Sequence, residues 1–365
     1  MFRECRRGVP ALLILLSALP LTAADFNPVA AEALMRAGHW KRVRAIVEPR
    51  VKDAPNDAHA VCLLSQIRMS FGDLDGALEP AQRAVALDGG NSGYHFQLAE
   101  VYGRMAARAS MFAAMSLARK FKGELDASLA RDPQNLDALD DLMLYSFQAP
   151  GMMGGDKGKA RAIAEKLLQL NPVRGYLAQA ELAGEAKDFA KVGECFLKAV
   201  QADPRNYEAR TELAGFYALP SQRKTDLAEK HACEAVRLDP SRAKGYAILA
   251  KALALEQRWA QLDAVLSAAE RKVPDDPIPY FEAAGALLES GVDTRRGEAY
   301  ARKYLAQEPE GDEPDAAHAH RLLGLILEKQ GRQAEALSEL QIAVERSPGF
   351  KEAKEDLKRL RNDSR

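Results

Sequence analysis

Apolar residues recur along this chain at helical spacing, in stripes that come in pairs. The pattern is plainest between Ala317 and Pro348. It reads His320-x-x-Leu323-Gly324-x-x-Leu327, then Gly331, then Ala336-x-x-x-Leu340, Ala343 and Pro348. Leu323 and Leu327 sit one turn apart and predict one face of a first helix. Gly331 breaks that helix, a second stripe begins at Ala336, and Pro348 turns the residue before it away from helix. Gly324 and Ala336 are small, as two antiparallel helices require where they cross closely. The unit is therefore two helices joined by a turn.

The same unit recurs about nine times from Asp25 onward. Its closing positions are Pro55, Gly89, Pro133, Pro172, Pro204, Pro240, Pro274, Pro309 and Pro348, at intervals of 32 to 44 residues. Asp88, Asp132, Asn171, Asp203 and Asp239 stand just before five of these positions, where a short polar side chain can satisfy freed backbone groups. After Pro348, Phe350 to Leu360 reads as one charged helix that would cover the last repeat's apolar face. Two units carry extra residues. The third gains about ten before Asp132, and the fourth continues past Tyr145 into Gln148-Ala-Pro-Gly-Met-Met-Gly-Gly-Asp156.

The spacing resembles the tetratricopeptide repeat, a helix–turn–helix unit of about 34 residues. The resemblance implies an all-α, right-handed solenoid over residues 25–349, with a capping helix and tail at 350–365. It also implies a protein-binding scaffold. Over residues 92–172 the extended units are similar to those of a group of exported bacterial tetratricopeptide proteins. Families that clamp a C-terminal carboxylate place Lys and Asn on successive first helices. Here Cys62 and Gln66, Phe96 and Glu100, and Asp140 and Leu144 occupy the comparable places, so that ligand class is not expected.

The N-terminus departs from the repeat. Arg3, Arg6 and Arg7 precede an apolar run from Val9 to Leu21, and Thr22-Ala23-Ala24 follow. These are the regions of a secretory signal spanning residues 1–24, with cleavage expected after Ala24 and a periplasmic or secreted mature chain. The apolar run is too short for an ordinary spanning helix, so no membrane span is expected once it is removed. Composition changes little else: 365 residues, 47% hydrophobic, 28% charged, formal net charge -1. That balance gives nucleic-acid binding no support. Cys62, Cys195 and Cys233 fall in separate units and are expected to be unbridged small core residues.

No catalytic constellation, cofactor or metal site is expected, and the chain does not read as an enzyme. His318 and His320 are two apart on a helix and point in different directions. Gly154-Gly155-Asp156-Lys157-Gly158-Lys159 lacks the P-loop's preceding strand and its spacing, and reads as a turn between helices. Glu308, Glu310, Asp312, Glu313 and Asp315 read as a solvated acidic linker. Six of the nine methionines lie between Met105 and Met153. Met105, Met111 and Met115 at helical spacing are expected to fill core, with soft-metal handling or catalysis by the Met-rich third and fourth units as the alternative.

The stretch from Val101 to Gly123 carries five bases and no acid. Turns inside successive units line up along one edge of such a solenoid. That edge should gather Arg104, Arg108, Met111, Met115, Arg119, Lys120, Lys122, Met152, Met153, Lys157, Lys159, Arg223 and Lys224. A surface of this kind suits an acidic or amphipathic protein or peptide, with charge steering the encounter and Met adapting to an irregular face.

Overall fold

A computed structural model describes residues 26–311 and 314–363; the segment read as a secretory signal lies outside them. Among the described residues, nineteen α-helices and no strand are present. They form nine antiparallel pairs and a terminal helix. The pairs are α1 (Pro28–Ala37) with α2 (Trp40–Asp53), α3 (Ala58–Ser70) with α4 (Leu74–Leu87), and α5 (Ser92–Arg108) with α6 (Met111–Arg131). Next come α7 (Leu136–Gln148) with α8 (Lys157–Leu170), α9 (Pro172–Glu185) with α10 (Phe189–Ala202), and α11 (Tyr207–Ala218) with α12 (Thr225–Leu238). The last three are α13 (Ala243–Leu255) with α14 (Trp259–Lys272), α15 (Ile278–Ser290) with α16 (Thr294–Leu305), and α17 (Ala316–Lys329) with α18 (Gln333–Arg346). Helix α19 (Lys351–Asp363) lays Leu357 and Leu360 on the last pair's core.

Local chemistry explains the boundaries. Asn27, Asp57, Asp73, Asn91, Asn135, Asp188 and Asn206 each accept a backbone N–H of the helix they precede, replacing a bond that helix geometry leaves unmade. Asp88, Asp132, Asp203 and Asp239 accept the N–H two residues on, at the turns between units. Gly38, Gly72, Gly291 and Gly331 take positive φ at the turn inside their units; Lys187 and Gln257 hold the same strained conformation where no glycine is available. The joint between the fourth and fifth units is the tightest. Asn171 ends α8 and caps α9 at once, leaving no linker residue.

Small residues sit where the helices cross, as the repeat pattern requires. A Cβ on Gly324 would lie 2.9 Å from Leu340 Cγ and 3.3 Å from the Ala336 carbonyl oxygen. Ala228 is wholly buried in the core shared by the sixth and seventh units. Ala228→Leu should therefore cost about 1–3 kcal/mol by overpacking, read as a lower urea midpoint. An unchanged midpoint would show that the crossing has room.

The extra residues of the third unit lengthen its helices to 17 and 21 residues, packed on each other through Phe121, which stacks on Gly103. Those of the fourth form a compact 3-10 turn at Gly151–Met153, held by the Tyr145 hydroxyl donating to Met153 O at 2.6 Å.

The acidic segment after α16 is not a solvated linker. The curve of the solenoid brings the first unit against the flanks of the eighth. There Arg44 forms a forked pair with Glu308 at 2.7 and 3.1 Å, and Glu310 has only 3% of its side chain exposed. Asp312 and Glu313 lie outside the described residues.

Candidate functional site

The basic, Met-containing edge is only partly as expected. Met111, Phe112 and Met152 are 71%, 77% and 90% exposed, and Met115 is also exposed, so Met111 and Met115 are not core filling. Met105 packs in the core of the second and third units and Met143 in that of the third and fourth, so the six methionines are divided between core and surface. Met153 is half-buried and lends its carbonyl to Tyr145. Phe112 was not legible as a surface residue. Its signal is the adjacent pair Met111-Phe112 at a helix start, where two consecutive residues cannot both face one core stripe.

The bases on this edge differ in what they do. Arg104, Arg108, Arg119, Lys157 and Lys159 are exposed, and Arg108 donates to Gly72 O at 3.3 Å, tying the turn of the third unit to that of the second. Lys120 lies over the Tyr102 ring at 5.1 Å and Lys157 over Phe147 at 4.9 Å, each in a cation–π arrangement. Lys122 is paired with Asp126 on its own helix, and Arg223 with Glu289, so these two offer less to a partner than the sequence suggested. Lys224 lies over Tyr217 in the sixth unit. The turn after α7 does not cradle a phosphate: the Asp156 carboxylate accepts the Gly158 and Lys159 N–H groups that an anion would need.

The concave wall, lined by the first helix of each unit, carries a second set of groups. Glu100, Asp140, Asp141 and Glu181 come from α5, α7 and α9. Arg174 pairs with Asp137 at 2.6 Å and Asp140 at 3.1 Å. One oxygen each of Asp140 and Asp141 is buried without a partner. Burial, then the facing Glu100 carboxylate, pushes the Asp141 carboxyl well above the usual carboxylate range. Surrounding protein pushes Glu181 up to about 7 although its side chain touches solvent.

Further along, the wall opens into a cavity of about 790 Å³ floored by α9, α10, α11, α13 and α15 and roofed by Met35–Gly38 and Pro309–Gly311. Two ion pairs join neighbouring helices on its floor, Lys244 with Glu212 at 2.5 Å and Lys251 with Glu282 at 3.1 Å. Burial raises Asp276 to about 6 and Glu310 to about 7 at its roof.

Of the remaining candidates, Asp226, Glu229 and Glu256 bring carboxylate oxygens within 4.8 Å of one another, but Arg258 engages both glutamates and already supplies the countercharge. His320 is held by Glu339 at 2.6 Å and His318 by Asp315 at 2.7 Å. Cys62, Cys195 and Cys233 are free thiols; the first two are buried, with Cys62 pushed up to about 12 by burial, while Cys233 is exposed rather than core.

No family model matches this chain, and no curated protein matches it. Among solved structures, yeast Tom70 aligns with 93% of this chain and 82% of its own, at 14% identity and a TM-score of 0.50. A thermophilic TPR protein of Thermus thermophilus aligns with 53% of this chain and 98% of its own, at 21% identity and a TM-score of 0.46. A tetratricopeptide repeat protein of Parabacteroides merdae aligns with 72% and 98%, at 18% identity and 0.46. The likeness to Tom70 runs through nearly the whole chain and is one of fold: this is a tetratricopeptide-type α-solenoid.

Proposed function

We propose that this protein is an exported, non-catalytic scaffold that holds an acidic, amphipathic segment of a partner protein on the edge of its third and fourth units. One observation carries the reading. Met111, Phe112 and Met152 stand more than two-thirds exposed on an edge whose α5–α6 turn region has bases and no acid. Single exposed apolar residues need no explanation, but large ones gathered at adjacent turns mark an interaction surface. Positive charge around them supplies steering, and unbranched Met side chains supply fit. Export rests on the basic, apolar and small-residue segments of positions 1–24.

The test is affinity capture from the periplasmic fraction with two surface variants. One combines Met111→Ser, Phe112→Ser and Met152→Ser; the other combines Arg119→Glu and Lys120→Glu. Both are expected to keep parental helicity and lose at least tenfold in recovery of the same partner. Intact mass of the captured scaffold should correspond to a chain starting at Asp25. Full recovery of every partner by both variants would refute the docking edge, and a chain retaining Met1 to Ala24 would refute release by cleavage.

A further inference from the structure

We propose that the first and eighth units form an ionic clasp that closes the solenoid into a ring, and that its opening controls access to the concave cavity. In a helical solenoid each unit is held by its neighbours, so a contact that skips six units is not required by repeat packing. Here it is made several times over. Lys41 Nζ donates to the carbonyl oxygens of Asp275 at 2.5 Å and Glu308 at 2.6 Å. Arg42 Nε meets Asp275 Oδ2 at 2.5 Å, and Arg44 forks onto Glu308. Three bases from one turn of α2 thus face the loops before α15 and after α16, 233 to 269 residues away.

The clasp also completes a helix. His39, the residue before α2, supplies no side-chain cap, which leaves the first N–H groups of that helix without a local partner. The Glu310 carboxylate takes the Lys41 N–H at 2.8 Å, so an acid of the eighth unit's flank caps a helix of the first. Gly311 continues past it, its Cα close enough to the second unit that a Cβ would lie 3.3 Å from Ser70 O.

Two consequences follow for the cavity. Residues on both sides of the clasp, Met35–Gly38 and Pro309–Gly311, are its roof, so closure makes a chamber of an open trough. The clasp is built mainly from partly exposed ion pairs, which are individually weak and screened by salt. It is therefore a closure that opens reversibly while the units remain folded. Lys244 and Lys251 on the cavity floor are each paired with a neighbouring glutamate, so the clasp, rather than these two bases, governs what enters. None of this depends on the docking edge, which lies on other units.

The test uses the whole mature chain. Arg44→Glu is compared with the parent and with the swapped pair Arg44→Glu with Glu308→Arg. Three readouts are taken at low and at about 0.5 M salt, where the screening length falls to a few ångströms. They are the radius of gyration by small-angle scattering, amide exchange at Lys41, and labelling of Gly215→Cys by a bulky maleimide in a Cys233→Ser background. Gly215 lines the cavity, and a Cβ there meets nothing closer than Ile248 at 3.9 Å. Arg44→Glu should enlarge the radius and speed both exchange and labelling about tenfold; high salt should do the same to the parent, and the swap should restore it. If Arg44→Glu fails to fold, the parent's salt response and the swapped pair decide. Equal radius, exchange and labelling across parent, variant and salt would overturn the clasp. A larger radius with unchanged labelling would overturn its control of access.

Discussion

Gly175→Ala should lower stability by about 3 kcal/mol, the upper end of what overpacking costs. Gly175 lies in the first turn of α9, directly after the joint at which Asn171 ends one helix and begins the next. A Cβ there would stand 2.1 Å from Leu168 Cα and 2.4 Å from Leu168 N. Those are backbone atoms at the end of α8, which no rotamer change can move aside. Relief requires the two helices to separate, and with them the core that Leu167 and Ala178 share across the joint. The matched control is Gly285→Ala in α15, where nothing lies within 4 Å of the added carbon. It should stabilise by about 0.5–1 kcal/mol, because alanine is the better helix former. Urea denaturation of the two variants reads the difference. Equal midpoints would mean that the joint is looser than these distances.

Asp141→Asn should stabilise the protein, and increasingly so as pH rises. The Asp141 carboxyl is pushed up from its ordinary value of 3.8 by burial and by Glu100, Asp140 and Asp137, all on the concave wall. The folded chain therefore holds a proton that the unfolded chain gives up, and stability falls as pH climbs from that unfolded value toward the folded one. Each pH unit in that window costs the aspartate form up to about 1.4 kcal/mol, and asparagine nothing. Allowing for solvent at the groove surface, the variant's advantage should grow by about 2 kcal/mol between pH 5 and pH 8. Glu181, Asp276 and Glu310 are raised in the same direction and are common to both proteins. His39 and His231, both lowered chiefly by burial, act oppositely in acid and also cancel in the comparison. Parallel stability curves for parent and variant over this range would show that Asp141 is ionised in the fold.

What was legible in the sequence is what a single unit encodes by itself. The period of the apolar stripes marks the helices, glycine and the Asp/Asn caps mark their ends, and Gly324 with Ala336 marks a crossing. Each depends on residues within about one repeat of each other, so the nine pairs and the terminal helix could be read along the chain. The placement of individual surface residues was less legible. Met105 and Met111 share a helical spacing, yet one is in the core and the other in solvent, because they lie on different helices on either side of Ala109 and Ser110. Lys122 and Arg223 read as free bases; Asp126, one turn along the same helix, pairs the first, and only the fold brings Glu289 to the second.

Only the tertiary structure decided how the first unit of the solenoid meets the eighth. Glu308 and Glu310 beside two prolines look like a solvated linker, and Lys41, Arg42 and Arg44 look like an ordinary polar helix face. They become partners because small rotations between successive units add up until the first unit reaches the eighth. No local pattern records that sum, since each rotation is set by side-chain packing at one joint, such as Gly175 on Leu168. The roofed cavity arises in the same way, from groups that touch only after the chain has curved, whereas Glu100 acts on Asp141 across the joint between two neighbouring units.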